Sequence, residues 1–275
     1  MKKKVDLKLF KKRLLEDKLT KSDIAEEFKI SRRTVVRIMK RNDLFREDAW
    51  TRDFSKEKLN NFQKEVLYGT LLGDSCLFKF KTAKYPSLLV YHAISQKCYV
   101  RFKLNIFSNF VYNRKIKTIK RDRGKRVSFN TCSHIEFERI YNNFYFSKNN
   151  KKKRVTDEIL DKLTDISLAF WFMDDGSRCK NKGLALHTNS FTLEEVEMIC
   201  KWFDNKYNIS CWPQRRKENQ FVVFFSNKTT LKFSEIVLPY ILPQMRYKFK
   251  GVFTKNPQRL YAIPFILNKY LEDIV

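Results

Sequence analysis

Two apolar segments that each run into an aspartate constrain the fold more than any other feature of this chain. The first is VLYGTLLGDSCL, residues 66–77, and the second is LAFWFMDDGS, residues 168–177. Aligning LYGTLLGDS with LAFWFMDDG sets Asp74 opposite Asp175; the two aspartates lie 101 residues apart, and 100 residues follow Asp175. This equal division predicts an internal duplication in which each half contributes one apolar helix with an acidic end.

The position of these two aspartates predicts a cation site. A carboxylate at a helix C-terminus faces the negative end of the helix macrodipole, which is unfavourable by roughly 0.3–1 kcal/mol. Bringing two such ends together adds the mutual repulsion of Asp74 and Asp175. A divalent cation between the carboxylates would offset both effects, and ligation by oxygen atoms alone favours a hard ion such as Mg²⁺.

The charge of the chain indicates a polyanionic partner. It has 57 Lys and Arg residues against 30 Asp and Glu, a formal net charge of +27, and an excess of this size is typical of proteins that bind nucleic acid. No apolar run approaches the ~18–20 residues that cross a bilayer, and the basic N-terminus lacks the apolar core of a secretory signal. We therefore expect an intracellular protein with no membrane partner.

Cysteine and histidine usage argues against other classes. The six cysteines are scattered without a CxxC pair, which favours free thiols in a reducing compartment over a zinc site or a disulfide framework. His92, His134 and His187 have no close pairing. We interpret each of them as structural or exposed, so a histidine-dependent nuclease of the HNH kind is poorly supported.

The first 45 residues predict helices only. TKSDIAEEFKISRRTVVRIMKR, residues 20–41, has the pattern of two helices joined by a tight turn near residues 29–31, with Ser31 as a helix N-cap. This pattern resembles a DNA-binding helix-turn-helix unit over residues 1–45, with Arg32, Arg33 and Arg37 on the exposed face of the recognition helix. The alternative is an ordinary helical hairpin with a solvated charged face. Residues 46–56 are predicted to form a linker.

Beyond the linker the pattern changes to mixed helix and strand. SLLVYHAIS (87–95) and RVSFNTC (126–132) predict strands, with RDRGKR (121–126) as a hairpin tip. The strand GLALHTNS, an amphipathic helix over TLEEVEMICKWFDNKY and the strand QFVVFFS follow in the second half. The predicted fold class is α+β, with two pseudo-symmetric αββαββα repeats at residues 57–163 and 164–275.

The two acidic motifs resemble those of the LAGLIDADG homing endonucleases. LYGTLLGDS is similar to the first motif copy and LAFWFMDDG to the second, and the likeness extends through SLAFWFMDDGS, LHTNSFTLEEVE and LPYILPQMRYK. These stretches look like the monomeric, intron-encoded mitochondrial branch of the family. The resemblance covers about residues 56–250 and leaves the helix-turn-helix outside it.

The resemblance implies where a metal would bind. The two motif helices would pack together at the base of a DNA-binding saddle, with Asp74 and Asp175 as metal ligands. The main-chain carbonyls of Gly73 and Asp174 would add to the ligation, and the side chain of Asp174 would not be essential.

The family also has a basic residue near each cleavage centre. Lys152 and Lys248 occupy the matching places, although the first assignment could shift by one residue to Lys151 or Lys153. Basic strands would line the major groove of the DNA, with a generic basic surface as the alternative. The residues expected to contact DNA from the two repeats are Lys115, Lys117, Arg121, Arg126, Arg215 and Arg216.

The two motif copies differ where the helices would touch. Gly69 and Gly73 form a GxxxG face in the first copy, whereas Phe170 and Asp174 occupy the corresponding positions of the second. We therefore predict asymmetric packing, in which the glycines of one helix make room for the larger side chains of the other.

The activity implied by the resemblance is Mg²⁺-dependent hydrolysis of one phosphodiester on each strand of a long double-stranded DNA site. Such cleavage promotes the mobility of the intron or gene that encodes the enzyme. The resemblance implies a monomer. The richness in Lys, Phe and Asn indicates an AT-rich genome, so we expect the protein in the cytoplasm of a bacterium or phage-infected cell, or in an organelle. The alternatives are an RNA maturase, whose partner is intron RNA, and a DNA-binding regulator that has lost cleavage. The presence of both terminal aspartates argues against the regulator.

Overall fold

The computed structural model describes residues 5–17, 19, 21–42, 44, 53–80, 83–121, 124–145, 152–179, 183–250 and 252. The chain divides into two compact units, Met1–Asp53 and Phe54–Val275. Most of the predicted linker, the tip of the predicted hairpin at residues 122–123, and Lys151 lie outside the described residues. The domain boundaries drawn from the sequence stay predictions.

Helices make up the described part of the N-terminal unit. They are α1 (Leu7–Leu15), α2 (Lys21–Glu27) and α3 (Arg32–Arg41). Lys29 adopts a left-handed backbone conformation (φ 50°) between α2 and α3, and the Ser31 hydroxyl accepts the main-chain N–H of Thr34 at 3.2 Å. The unit has its own small core of Phe10, Leu14, Ile24, Val35, Met39 and Leu44. The helices lie where the sequence predicts them, and DNA binding by this unit stays a prediction.

The first half of the larger unit is an antiparallel four-stranded sheet with helices. Its elements in chain order are α4 (Asn61–Leu72), β1 (Cys76–Phe78), β2 (Ser87–Ala93), α5 (Lys97–Ile106), β3 (Lys117–Arg121), β4 (Gly124–Asn130) and α6 (Glu138–Phe144). The strands lie in the order β1-β2-β4-β3. A short helix, α7 (Asp157–Asp161), precedes the second half.

The second half repeats this arrangement. Its elements are α8 (Asp165–Asp175), β5 (Gly176–Arg178), β6 (Leu184–Leu186), α9 (Leu193–Tyr207), β7 (Cys211–Lys217), β8 (Gln220–Phe225) and α10 (Asn227–Val237), followed by 3₁₀ turns at Leu238–Tyr240 and Pro243–Phe249. The strand order β5-β6-β8-β7 matches that of the first sheet. The predicted α+β fold with two αββαββα repeats is confirmed.

The motif helices α4 and α8 pack against each other at very short range. Both are apolar around most of their circumference, and residues 66–72 and 167–174 are buried, as expected for helices covered on every side. A Cβ atom added at Gly69 would lie 2.1 Å from the main-chain oxygen of Ser167, and one added at Gly73 would lie 2.4 Å from Asp174 Cβ. Gly73 leaves room for the Asp174 side chain, as predicted, whereas Gly69 leaves room for the main chain of α8 at Ser167 and not for the Phe170 side chain.

Aromatic rings enclose the helix crossing. Phe170 of α8 lies with its ring centre 6.5 Å from that of Phe62, 6.3 Å from Tyr99 and 6.2 Å from Phe102. The buried apolar residues of both repeats form one continuous cluster. None of the helices within the described ranges is long and apolar enough to cross a membrane.

The helix crossing predicts a large effect of one added methyl group. Gly69→Ala would push a Cβ atom into the main chain of α8, and overpacking of this kind typically costs about 1–3 kcal/mol. We expect the free energy of unfolding, measured by urea denaturation, to fall by this amount, although alanine is the better helix former. Lys64→Ala, at an exposed position of the same helix, should change stability by less than about 0.5 kcal/mol. Equal effects of the two variants would contradict the close crossing.

Candidate active site

The C-terminal ends of α4 and α8 bring three carboxylates together. Asp74 follows Gly73 directly after α4, whereas Asp174 and Asp175 are the last two residues of α8. The main-chain N–H of Asp74 donates a hydrogen bond to Asp174 Oδ2 at 3.3 Å. The two predicted metal ligands, Asp74 and Asp175, therefore belong to one acidic cluster, formed with Asp174.

The three carboxylates differ in exposure and in charge. The Asp74 side chain is 45% exposed, the Asp175 side chain is half-buried, and Asp174 is buried. Burial first, and then the negative charges of Asp74 and Asp174, raise the pKa of Asp175 to about 8, against the opposing effect of Lys153 and Lys248. Without a cation, the Asp175 carboxyl group therefore holds a proton at neutral pH.

The charge of Asp174 is neutralised inside the protein. Its Oδ1 atom accepts hydrogen bonds from the Tyr99 hydroxyl and from Lys103 Nζ, both at 2.7 Å, and its Oδ2 atom accepts one from Thr70 Oγ1 at 2.7 Å. Burial opposes the ionisation of this carboxyl group, but the charge of Lys103 and the hydrogen bonds from Lys103 and Thr70 hold its pKa below the ordinary value. The Asp174 side chain therefore has its counter-charge in Lys103.

Two lysines bind the last carbonyl groups of the motif helices. Lys153 Nζ donates to the main-chain oxygens of Leu71, Gly73 and Ser75 at 2.7, 2.6 and 3.2 Å. Lys248 Nζ donates to those of Phe172, Met173 and Asp174 at 3.3, 2.6 and 2.9 Å. Burial lowers the pKa of both lysines, and the nearby carboxylates oppose this. Each ammonium group stabilises the negative end of one helix dipole.

Lys153, rather than the predicted Lys152, is the lysine that bonds to the end of α4. Lys152 is exposed, whereas Lys153 is half-buried and Val155 is buried. Side chains two residues apart share a side of an extended segment, so Lys153 and Val155 face inward together. Lys248 lies at the matching place on the second helix. The catalytic roles of these lysines stay a proposal.

The donor set suits a hard cation that completes its coordination with water and phosphate. Within the described residues, no group of three or more His, Cys, Asp or Glu side chains could hold a metal ion. Mg²⁺ is usually bound by one or two carboxylates together with waters and substrate phosphates, and Asp74 and Asp175 supply two. The carbonyl oxygens of Gly73 and Asp174 each accept a lysine N–H, which leaves each oxygen one further lone pair.

Two buried residues behind the acidic cluster were missed in the sequence. His92, on β2, is buried, and its Nδ1 atom lies 3.3 Å from Asp74 Oδ2. Lys103, on α5, is fully buried. A local signal existed for Lys103, because two buried residues, Tyr99 on α5 and Phe107 directly after α5, lie one helical turn before and after it. His92 carries no such local signal.

The basic strands predicted to contact DNA are the edge strands β3 and β7, which hold equivalent places in the two sheets. The exposed residues on or beside these strands include Lys115, Lys117, Arg215 and Arg216. Arg126, on β4, places its guanidinium carbon 5.0 Å from the centre of the Tyr91 ring. The side chain of Arg121 lies outside the described residues.

The N-terminal unit presents its arginines to solvent. Arg32, Arg33 and Arg37 are exposed on α3, after the N-cap at Ser31. Their exposure leaves them accessible to phosphates or base edges, and contact with DNA stays a prediction.

The duplicated fold and the paired acidic helix ends agree with a known family. Residues 64–233, which include both motif helices with Asp74 and Asp175, match the LAGLIDADG DNA endonuclease family. The chain belongs to this family.

Individual relatives match most of the chain. It is 33% identical over 209 residues to the probable intron-encoded endonuclease 1 of Wickerhamomyces canadensis, across 72% of this chain and 88% of that protein. It is 32% identical over 225 residues to the cytochrome b mRNA maturase bI2 of Debaryomyces hansenii, across 78% of this chain and 81% of that protein. A solved structure of the homing endonuclease I-WcaI bound to its DNA recognition sequence matches with a TM-score of 0.65 and 30% identity, covering 74% of this chain and 92% of that one.

The raised pKa of Asp175 predicts a pH-dependent gain in stability when its charge is removed. The pKa of the Asp175 carboxyl group is about 8 in the folded state, whereas the ordinary value, which applies to the unfolded state, is 3.8. Between these values the folded state binds more protons than the unfolded state, so the stability of the metal-free protein falls as pH rises. Asp175→Asn should therefore be more stable than wild type at pH 8, by about 5 kcal/mol for a shift of this size, and similar to it near pH 4.

Urea denaturation at the two pH values, with a chelator present, measures this difference. Asp161→Asn, at an exposed position of α7, is the control and should show no such pH dependence. A difference between Asp175→Asn and wild type that is equal at both pH values would contradict the crowding of the carboxylates.

Proposed function

We propose that this protein is a site-specific DNA endonuclease that hydrolyses one phosphodiester on each strand of its target with a divalent metal ion. The observation that carries the proposal is the meeting of Asp74 and Asp175 at two duplicated helix ends, each end with a lysine, Lys153 or Lys248, bound to its carbonyl groups. The family and the DNA-bound relative support the same activity. The cleavage would promote the mobility of the intron or gene that encodes the protein.

Asp74 and Asp175 would each serve the centre that cuts one strand. Their carboxylate oxygens suit Mg²⁺, which when bound would supply the positive charge that stabilises the reacting phosphate and the leaving oxygen. The crowding that raises the pKa of Asp175 supports this role, because a cation would relieve the repulsion between the carboxylates.

Lys153 and Lys248 would act as electrostatic supports. Each holds an ammonium group beside one acidic helix end through main-chain oxygens, where positive charge opposes the negative charge that develops on phosphate. Neither needs to move a proton for this role.

DNA would lie against the basic edge strands. The net charge of +27 and the exposed Lys117, Arg215 and Arg216 on equivalent strands of the two sheets support binding along a double helix whose backbone is polyanionic. Arg32, Arg33 and Arg37 of α3 would add contacts from the N-terminal unit.

An RNA maturase is the second candidate function. The similarity to the cytochrome b mRNA maturase bI2 of Debaryomyces hansenii, across 78% of this chain, favours it. Maturation of intron RNA would use the basic surface without the acidic cluster. Splicing of the host intron by a variant that has lost both aspartates would therefore separate the two functions.

Removal of either aspartate should abolish linearisation, because the strand that it serves stays uncut. A plasmid with the intron-free insertion site, incubated with Mg²⁺, should be linearised by wild type but not by Asp74→Asn or Asp175→Asn. Loss of a metal ligand should remove several kcal/mol of transition-state stabilisation, on the order of 10³-fold in rate. DNA affinity, measured by gel shift with Ca²⁺, should change little.

The adjacent lysines provide a matched control in the same assay. Lys153→Met should slow cleavage about 10²- to 10³-fold, whereas Lys152→Met, at the exposed position, should cut at nearly the wild-type rate. Full activity of both aspartate variants would overturn the proposed nuclease site. Equal activity of the two lysine variants would remove Lys153 from it.

A further inference from the structure

Lys103 lies at the centre of a buried polar network behind the acidic cluster. It is completely shielded from solvent, although a buried ammonium group without partners is strongly unfavourable. Its ammonium group donates hydrogen bonds to three residues. The acceptors are Asp174 Oδ1 at 2.7 Å, Thr70 Oγ1, and His92 Nε2 at 3.2 Å. This match of donors to acceptors indicates a charged ammonium group in a site built to hold it.

The Lys103 ammonium group fixes the tautomer of His92. An ammonium group has no lone pair, so His92 Nε2 must accept the hydrogen bond and the ring proton must lie on Nδ1. That N–H group donates to Gln96 Oε1 at 3.1 Å, and Nδ1 also lies 3.3 Å from Asp74 Oδ2. Lys103 therefore directs a polar N–H group toward Asp74, as outer partners do when they orient the ligands of a metal.

Lys103 also reaches Asp74 through Asp174. It pairs with the Asp174 carboxylate, whose Oδ2 atom accepts the main-chain N–H of Asp74 at 3.3 Å. The side chain and the main chain of Asp74 are thus each connected to Lys103 through one residue. The network joins the two repeats, because Lys103 lies on α5 and Asp174 on α8.

Asp175 lacks comparable support. Within the described ranges of the chain, no histidine ring lies against its carboxylate as His92 lies against that of Asp74. His187, the histidine that follows β6, bonds to Ser177 Oγ through Nε2 at 2.7 Å, and only its main-chain N–H reaches Asp175, at the carbonyl oxygen, at 2.9 Å. In the described part of the chain, the Lys103 network therefore contacts Asp74 and not the Asp175 carboxylate.

We propose that Lys103 is a positioning residue for the Asp74 half of the cleavage site, and that the two DNA strands are unequally sensitive to its loss. The inference rests on the proposed function, in which Asp74 and Asp175 each serve one strand. Without Lys103, His92 loses the partner that fixes its tautomer and Asp174 loses its counter-charge. Asp74 then loses both links, whereas Asp175 is affected only through the charge of the adjacent Asp174, which His92→Phe leaves in place.

Strand-resolved cleavage under single-turnover conditions tests this proposal. A duplex with the recognition site carries a different fluorophore at each 5′ end, and the rate constant of each strand is measured with excess enzyme and Mg²⁺. The first variant is the double substitution Lys103→Met/Asp174→Asn, which removes both charges and leaves no unpaired buried charge. The second variant, His92→Phe, removes the link to Asp74 and leaves the ion pair of Lys103 and Asp174 intact. It therefore tests the proposal even if the double variant does not fold.

We expect both variants to slow the same strand by about 10- to 100-fold relative to the other strand, the range typical of lost outer partners at metal sites. DNA affinity should be unchanged. His92→Asn, whose amide nitrogen can lie close to the position of Nδ1, should recover most of the lost rate.

His134→Phe is the matched control. His134 is a buried histidine of the same repeat that bonds to the main-chain oxygen of Phe54 at 2.8 Å, so any loss should affect both strands equally. Suppose that wild type cuts both strands, and that the Lys103 and His92 variants slow both strands equally or slow neither strand. This inference is then overturned, whereas the proposed function is not. If wild type cuts neither strand, the proposed function fails and this inference fails with it.

Discussion

The close crossing of α4 and α8 determines the electrostatics of the whole site. Gly69 and Gly73 let α8 approach to distances at which no Cβ atom fits between the helices, and aromatic rings such as Phe170 hold the pair from the sides. The negative ends of two helix dipoles and three carboxylates therefore share one cluster. Because the surrounding core is densely packed, this charge cannot be relieved by moving the helices apart. Other groups have to balance it.

The two halves of the molecule balance that charge differently. The lysines at the helix ends follow the duplication, since Lys153 and Lys248 each bind the carbonyl groups of one motif helix. The buried network does not follow it: Lys103 comes from the first repeat and neutralises Asp174 of the second. Asp175 instead keeps its proton, with a pKa of about 8. The duplication thus specifies the scaffold, and single side chains make its two acidic ends chemically different.

Most of the scaffold could be predicted from the sequence because its signals are local. The αββαββα order follows from the periodicity of short segments, the Ser31 cap from one residue, and the packing role of Gly69 from the comparison of two motif copies. The choice between Lys152 and Lys153 could not be predicted, because adjacent lysines look alike until their side chains are placed. The burial of Lys103 had a local signal in Tyr99 and Phe107, but its role could not be predicted, because its partner Asp174 is 71 residues away in the sequence.

The most direct test of the account is the location of a bound cation in crystals of the protein with its DNA target. Anomalous diffraction from Mn²⁺ would locate the ion independently of any assumption about the site. The account predicts a peak that is ligated by the carboxylates of Asp74 and Asp175 and is reduced or lost in Asp175→Asn. Carboxylates that point apart, with Mn²⁺ bound elsewhere or absent, would contradict it.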